Sequence, residues 1–435
     1  MSYEIVKDPI YGYIKIYDHE LKIIDTPIFQ RLRRIKQTTG VDYVYPCAVH
    51  TRFSHSLGVM HVAGIFTQRL LDQINGISED DKKYYYFLMR LWGLTHDIGH
   101  GPYSHIFDEA VLEKYSTDHE EIGARILREY SEFPDKFRIG DLEISREDVA
   151  KLIGVKLIED WPLNSEIGES DVNERILYYI GHGAYSADLI DYIIRDSYFT
   201  GAGYGNIDWQ RLIYASKPYE DKVILSSRAR EAFDALLLAR LFMFSAVYYH
   251  RTTRAVVKVI KFFLDEACQK MDFEYYIDDI ENYAELDEDV ILSEPSLRDS
   301  KFRKWLIHRK IPYSRVEEQR IPIRIESSDY LDEEILTQVV RSRLPSNLKN
   351  ALPKEAFFVD TPKLDMNPMF SEEFVYYQMP GHSTPVPKPV LETMFGELPK
   401  EFAIVRLYIH DDYTEYKNSI ITAFKRKKGR RRTYY

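Results

Sequence analysis

The sequence contains very little cysteine: two residues in 435, Cys47 and Cys268, with no CxxC spacing. A disulfide framework and a zinc ribbon of paired cysteines are therefore excluded, and a reducing compartment is expected. The amino terminus has no apolar signal core, and no window reaches the roughly 18 uninterrupted apolar residues of a membrane span. These absences predict a cytoplasmic protein without a membrane partner.

Several familiar loops are also missing. There is no Walker loop, no GxGxxG and no GxSxG elbow, and there is no internal repeat or low-complexity linker. An excess of positive charge is absent too, because the net charge is −11. General affinity for nucleic acid is therefore not expected over most of the surface. The basic block from Lys425 to Arg432 is the exception, and it indicates either a weak nucleic-acid contact or a solubilising end.

What is present is a long series of helical patterns. Apolar residues recur at helical spacing through most of residues 20–275, after a predicted amino-terminal hairpin. Beyond about residue 275 the composition changes to acidic, strand-forming and proline-rich segments, with a clear strand over 402–410. The sequence therefore predicts a mainly α protein with a helical domain over 1–275, a smaller α+β lobe over 276–424 and a basic tail over 425–435.

Titratable side chains are concentrated between His96 and Asp108, directly after an apolar helical run. His96, Asp97 and His100 share one face if the helix continues, and His105 lies three residues before Asp108 on a second predicted helix. Five such groups so close together need a partner that neutralises them. A His beside an Asp offers a nitrogen and an anionic oxygen to a divalent metal.

Three other segments can contribute to the same cleft. Arg52 and His55 lie three residues apart at a helix start, where an Arg suits a phosphate. Asp188 can supply a ligand from a distant helix, and an ordinary charged helix face is the alternative for that segment. His119 lies in the first turn of a predicted helix, where a surface role is equally open. Two His and two Asp together suit Mn, Fe, Mg, Ni or Zn, and the residue types do not choose among them.

The order His, His-Asp, Asp resembles the HD-domain phosphohydrolase superfamily. A closer resemblance, to the deoxynucleoside triphosphate (dNTP) triphosphohydrolase family, lies in the ordered segments IIDTPIFQRLRRIKQ, HTRFSHSLGV, HDIGHGPYSHIFD, DHE and DLIDYIIRD. These segments fall within roughly residues 5–260. The resemblance implies an HD-domain helical core and hydrolysis at the α-phosphorus by metal-activated water, which gives deoxynucleoside and inorganic triphosphate.

The resemblance also implies roles for individual residues. The implied metal ligands are His55, His96, Asp97 and Asp188. The implied catalytic residues are His105, Asp108 and His119, with His105 protonating the leaving 5′-oxygen. The implied substrate contacts are Arg52 and His100 on the α-phosphate, Tyr192 on phosphate or sugar, and Gln37 and Asp196 on the 3′-hydroxyl.

The resemblance further implies a homo-oligomer, dimer or tetramer, with an activating GTP or dNTP at the subunit interface. Asp25, Gln30 and Arg33 match the residues that read the activating base. Two positions depart from the family pattern: Leu189 replaces a phosphate-binding Lys, and Glu4 replaces an amino-terminal Lys. An acidic residue at position 4 would repel a triphosphate.

Two alternatives stay open. The first is an HD phosphohydrolase that acts on another nucleotide, such as a monophosphate or a signalling nucleotide, and Leu189 is its best support. The second is a nucleic-acid-binding or assembly protein that uses the basic tail and carries a vestigial metal site. The intact ligand positions and the net charge of −11 speak against the second.

Overall fold

The computed structural model of the chain describes residues 2–323, 332–367, 374–394, 396–398 and 401–425. The predicted basic tail lies outside these residues apart from Lys425, which ends the last helix. The hypothesis of a nucleic-acid contact at the tail therefore stays a prediction.

Helices dominate the described chain, which confirms the predicted mainly α fold with a smaller α+β region. The α-helices are α1 (Asp18–Ile24), α2 (Pro27–Gln30), α3 (Arg52–Leu71), α4 (Glu79–Thr95), α5 (His105–Ala110), α6 (His119–Glu129), α7 (Arg146–Ala150), α8 (Tyr178–His182), α9 (Ala187–Thr200), α10 (Trp209–Tyr214), α11 (Arg230–Met243), α12 (Arg251–Ala267), α13 (Glu274–Asp278), α14 (Ile280–Tyr283), α15 (Glu288–Ser293), α16 (Lys301–Ile307), α17 (Glu333–Ser342), α18 (Ser346–Ala351) and α19 (Lys417–Lys425). A π-helical turn, Phe244–Tyr248, follows α11.

The strands form small sheets. They are β1 (Tyr3–Asp8), β2 (Gly12–Tyr17), β3 (Lys136–Ile139), β4 (Leu142–Ser145), β5 (Ser216–Tyr219), β6 (Lys222–Ser226), β7 (Tyr313–Ile323), β8 (Phe357–Asp360), β9 (Lys363–Asp365), β10 (Phe374–Gln378), β11 (Val386–Pro389), β12 (Glu392–Thr393), β13 (Gly396–Glu397) and β14 (Glu401–His410). Strand β14 pairs antiparallel with β7, β8 and β9, and β10 pairs in parallel with β6. The predicted amino-terminal hairpin is the β1–β2 pair, and the strand predicted over 402–410 is β14.

Buried apolar side chains form two clusters among the described residues. The larger cluster includes side chains of α3, α4, α9, α11 and α12. The smaller cluster joins α17, α19, β8 and β14 around Leu344, Phe357 and Leu407. Val375 and Tyr377 of β10 belong to the larger cluster, so part of the predicted lobe packs on the helical part. The exact domain boundary near residue 275 stays a prediction.

Helices α11 and α12 are bent relative to each other by 63° across the break at Tyr249 and His250. Within the part of the chain that the structure describes, no single helix has the length and apolar content to cross a bilayer. The bent pair Ser227–Tyr248 and Arg251–Ala267 meets that criterion only jointly, by length and composition.

A close contact between α3 and α4 brings the first candidate ligands together. A Cβ atom at Gly93 would lie 3.0 Å from the backbone of Met60. This spacing is tighter than nearly all real Cβ contacts, so glycine lets the two helices approach. Because His55 lies on α3 and His96 directly follows α4, the contact places the two histidines side by side, with ring centroids 5.2 Å apart.

The sequence pattern predicted one helical face for His96, Asp97 and His100, but α4 ends at Thr95. These residues lie in the turns that follow, where His100 N–H donates to the carbonyl of Asp97 at 3.1 Å. Within these turns Gly99 lies against the start of α6. A Cβ at Gly99 would lie 2.0 Å from the carbonyl oxygen of His119. The turn after α4 therefore packs directly on the start of α6, the helix that carries His119.

A buried ion pair connects α1 to α4, and its contribution to stability can be tested. Arg90 donates to Glu20 from Nε at 2.6 Å and from a terminal nitrogen at 2.8 Å, and both side chains are buried. We expect Glu20→Gln to lower the free energy of unfolding by about 3–5 kcal/mol, because it leaves the Arg90 charge buried without its carboxylate. Chemical denaturation measures the loss.

The matched control for Glu20→Gln is Glu147→Gln, which breaks an exposed pair with Arg128 at 2.8 Å. Exposed pairs contribute about 0–1 kcal/mol, so this control should change the unfolding free energy little. Equal losses for the two variants would contradict the expected importance of burial.

Candidate active site

Four predicted metal ligands converge from three elements. His55 comes from α3, His96 and Asp97 from the turn after α4, and Asp188 from the first turn of α9. The Nε2 atom of His55 lies 3.0 Å from an oxygen of Asp188 and 3.5 Å from an oxygen of Asp97. The Nε2 atom of His96 lies 3.5 Å from Asp97 and 3.7 Å from Asp188. We call these four residues the ligand cluster.

The ligand cluster fits a divalent cation. The Nδ1 atom of His96 lies 2.9 Å from the carbonyl of Gly93, which makes Nδ1 the donor and leaves a lone pair on Nε2. That Nε2 atom is buried and has no hydrogen-bond partner among the described residues. A buried nitrogen without a partner is unfavourable unless something coordinates it. Two imidazole nitrogens and two carboxylates are a donor set for Mn, Fe, Ni, Zn or Mg, so the metal's identity stays open.

The electrostatics of the cluster keep its carboxylates ionised. Burial alone would raise the pKa of Asp97, but Arg52, His96 and His100 hold that pKa well below its usual range. Burial likewise opposes ionisation of Asp188, and the neighbouring imidazoles of His55 and His96 lower its pKa. Arg52 donates directly to Asp97 and, from Nε, to the hydroxyl of Ser104 at 3.0 Å. The cluster therefore presents anionic oxygens beside one buried guanidinium.

His100, His105, Asp108 and His119 form a second group, which we call the histidine cluster. Asp108 accepts a hydrogen bond from Nδ1 of His119 at 2.6 Å and lies 3.4 Å from Nδ1 of His105. The ring of His119 stacks on His100 with centroids 3.7 Å apart and planes 11° apart. His105 is 69% exposed, so it lies where a substrate could reach it.

Neighbouring charges separate the protonation states of the stacked rings. Burial, Arg52 and His119 hold the pKa of His100 well below its usual range. For His119 burial acts in the same direction and is the largest single effect, but the hydrogen bond to Asp108 together with the charges of Asp108 and Asp97 raises the pKa. The two stacked rings therefore differ in proton affinity, and Asp108 contacts the ring with the higher pKa.

The two clusters are adjacent. Nε2 of His100 lies 3.4 Å from Asp97, which belongs to the ligand cluster. The hydroxyl of Ser104 accepts a hydrogen bond from Arg52 and donates one to the carbonyl of Lys36, each at 3.0 Å. Tyr103 and Ser104, directly before His105, have φ of 65° and 54°, a left-handed conformation that is uncommon outside glycine. The surrounding contacts hold this strained loop, and with it His105, beside the ligand cluster.

Comparison with known families bears directly on this geometry. Residues 52–178 match the HD domain, and residues 207–317 match the HD-associated region. The first match contains His55 and the His96-Asp97 pair; Asp188 follows it. The chain belongs to the HD-domain phosphohydrolase family. HD domains bind divalent metal ions, and the ligand cluster has the residues that could hold one.

Individual proteins extend the likeness. An uncharacterised protein of Methanocaldococcus jannaschii is 32% identical over 320 residues, which are 72% of this chain and 60% of that protein. The human deoxynucleoside triphosphate triphosphohydrolase SAMHD1 is 26% identical over 93% of this chain and 70% of its own length. The crystal structure of a hypothetical protein from Aquifex aeolicus is 25% identical, with a TM-score of 0.73 over 97% of this chain and 100% of that one.

The predicted sugar contacts of this HD protein, Asp196 and Gln37, both lie against His50. Asp196 is buried, lies 2.7 Å from Nε2 of His50 and accepts a hydrogen bond from the hydroxyl of Tyr248. The backbone N–H of Gln37 donates to the carbonyl of His50 at 3.1 Å, and the side-chain oxygen of Gln37 is buried without a partner among the described residues. Tyr192 lies one turn after Asp188, and burial raises its pKa to about 12.

Sequence reasoning assigned no role to His50 or Tyr248, which both contact Asp196. His50 begins the HTRFSH segment, which also contains Arg52 and His55. Its position beside these two candidate site residues could have indicated a role for it. Tyr248 lies in the π-helical turn after α11. Such turns often occur at functional sites, but the sequence showed only an apolar helical run there.

Position 189, where the family pattern has a phosphate-binding Lys, is apolar in the HD protein. Leu189 is 4% exposed and belongs to the larger apolar cluster. Arg254, a basic residue of α12, donates to Asp360 at 2.8 Å and to Glu333 at 3.1 Å. Those contacts hold Arg254 on the α+β part of the chain. Arg251 is exposed.

The predicted regulatory residues lie together near α2. Asp25 and Arg33 are exposed, and Nε of Arg33 donates to the side-chain oxygen of Gln30 at 2.7 Å. The guanidinium of Arg33 stacks on the ring of Phe53 at 3.5 Å. Glu4 is exposed on β1. The assignment of these residues to an activating nucleotide stays a prediction.

Proposed function

We propose that the chain hydrolyses dNTPs to deoxynucleoside and inorganic triphosphate. The observation that carries this proposal is the position of Arg52 between the two clusters. It donates to Asp97 of the ligand cluster and, through Ser104, contacts the loop that leads to His105. The match to a protein named as a dNTP triphosphohydrolase over 93% of the chain supports the choice of substrate.

The roles follow from the two clusters. His55, His96, Asp97 and Asp188 would hold a divalent cation, which supplies Lewis acidity and makes water a better nucleophile. Arg52 and His100 bind the α-phosphate and stabilise the charge that develops on its oxygens. As water oxygen bonds to the α-phosphorus, the bond to the 5′-oxygen breaks, and His105 donates a proton to that oxygen.

Other residues orient the catalytic histidines and the substrate. Asp108 holds His119 and lies within reach of His105, so it keeps both rings at the reacting bond. Asp196 and Gln37 bind the 3′-hydroxyl, and Tyr192 lines the cleft between sugar and metal ligands. No covalent nucleophile on the protein is required.

Product analysis tests the proposal. Each dNTP is incubated with metal-loaded protein, with and without GTP or dATP, and deoxynucleoside and inorganic triphosphate are separated by ion-exchange chromatography. We expect the two products in equal amounts, with no orthophosphate released first. Orthophosphate or pyrophosphate as the initial product would contradict the proposed bond cleavage.

Leu189 favours a second candidate, an HD phosphohydrolase that acts on another nucleotide such as a monophosphate. A buried leucine in place of a lysine, together with the pairing of Arg254, leaves fewer cations for the outer phosphates. A substrate with fewer phosphates needs fewer cations. Release of orthophosphate from nucleoside monophosphates, with dNTPs inert, would select this candidate.

We also propose an oligomer, dimer or tetramer, that is activated by GTP or a dNTP at Asp25, Gln30 and Arg33. The exposure of Asp25 and Arg33 supports this proposal, since both can meet a ligand or a second subunit. Equal rates with and without GTP or dATP in the product assay would contradict it, and Glu4 would then be the residue to examine.

A further inference from the structure

Helix α9 holds His55 with two carboxylates. Asp188 lies 3.0 Å from Nε2 of His55, and Asp191, three residues later, lies 2.8 Å from Nδ1 of the same ring. Asp191 is fully buried, whereas the side chain of Asp188 is 39% exposed. The Nε2 edge of the ring therefore faces the ligand cluster, and the Nδ1 edge faces the buried carboxylate of Asp191.

Asp191 is in turn fixed by a buried arginine. Arg195, one turn later on α9, donates to the two oxygens of Asp191 from Nε and a terminal nitrogen, each at 2.9 Å. The other terminal nitrogen of Arg195 donates to Asp8 at 2.9 Å. Bidentate pairing of this kind restricts a carboxylate more than a single hydrogen bond does. The row Asp8, Arg195, Asp191 and His55 thus extends from the end of β1 to the ligand cluster.

The packing of α3 against α9 is built around this row. Gly58 lies three residues after His55, and a Cβ there would lie 1.9 Å from an oxygen of Asp191 and 2.4 Å from a nitrogen of Arg195. Any other residue at position 58 would displace the pair. The glycine therefore admits the carboxylate to the far side of the His55 ring.

We propose that Asp191 is a positioning residue that orients His55 as a metal ligand, an inference that rests on the cation site of the proposed function. By accepting the proton on Nδ1, Asp191 turns the lone pair of Nε2 toward Asp97 and Asp188 and makes His55 a stronger donor. His96 receives the same orientation from the neutral carbonyl of Gly93. His55 is thus the ligand histidine with a charged partner behind it.

Metal affinity of two matched variants tests the inference. Asp191→Asn and Asp8→Asn each remove one carboxylate from Arg195, but only Asp191→Asn changes the partner of His55. Affinity for Mn²⁺ and Zn²⁺ is measured by chelator competition on the stripped full-length protein. We expect a loss of about 10–100-fold for Asp191→Asn, as for other partners of ligand histidines. We expect less than about threefold for Asp8→Asn, with unfolding measured in parallel.

Three outcomes would overturn the inference: unchanged affinity in Asp191→Asn, an equal loss in Asp8→Asn, or a parent protein that binds neither metal. The equal loss would mean that the effect passes through Arg195 and the fold rather than through His55. Because metal binding is measured without substrate, a parent that binds metal but cleaves no dNTP would contradict the proposed function and leave this test intact.

Discussion

His96→Ala is expected to lower kcat for dNTP hydrolysis by at least about 10³-fold, equivalent to about 4 kcal/mol of lost transition-state stabilisation. The reason is local. The Nε2 atom of His96 is buried without a partner and lies between Asp97 and Asp188 at 3.5 and 3.7 Å. Removing it takes one of two nitrogen donors from the ligand cluster. Steady-state kinetics and elemental analysis of the purified variant measure the two effects.

His19→Ala is the matched control. His19 is also buried with an Nε2 atom that has no partner among the described residues, but its ring packs on Phe87 at 4.9 Å and is outside both clusters. This variant should keep its metal and its kcat per folded molecule, even where its stability falls. Full metal content together with more than about a tenth of the parent kcat in His96→Ala would contradict the assignment.

Metal removal tests the same assignment in a second way. Chelation should bring the parent to the residual rate of His96→Ala, and re-addition of a divalent cation should restore only the parent. Because both manipulations act on the same ligand cluster, their effects should not add.

Local patterns predicted the helical class, the amino-terminal hairpin and strand β14, since each depends on residues close in the chain. The resemblance to HD phosphohydrolases named the side chains that the structure brings together in the ligand cluster. The assignment depended on the order of these residues along the whole chain, because they come from three separate elements. No periodicity within one segment would have paired Asp188 with His55.

What sequence reasoning missed depends on contacts between distant segments. The close approach of Gly99 to α6 is a contact between separate segments, and the contact of Asp191 with His55 is visible only when α9 lies against α3. The parallel pairing of β10 with β6 joins residues more than a hundred positions apart, and no local pattern sets that register. The engagement of Arg254 by Asp360 and Glu333 likewise required the fold.

His105→Ala is expected to lower kcat on dNTPs by about 10²–10³-fold, the range of a lost general acid. His105 is 69% exposed, so its removal should change the unfolding free energy little. The proton matters because the 5′-oxygen is a poor leaving group. An activated ester such as bis(4-nitrophenyl) phosphate needs no such proton, and its hydrolysis by the variant should stay within about threefold of the parent rate.

His119→Ala separates the two rings that share Asp108. His119 is the more tightly held, at 2.6 Å against 3.4 Å for His105, and it stacks on His100 and is much less exposed than His105. If His105 is the proton donor, His119→Ala should slow both substrates alike, because it disturbs phosphate binding rather than the leaving group. The reverse pattern, with the activated ester spared only in His119→Ala, would assign the acid to His119. Asp108 would then act on the nearer of its two partners, and exposed His105 would be left with a role in substrate binding.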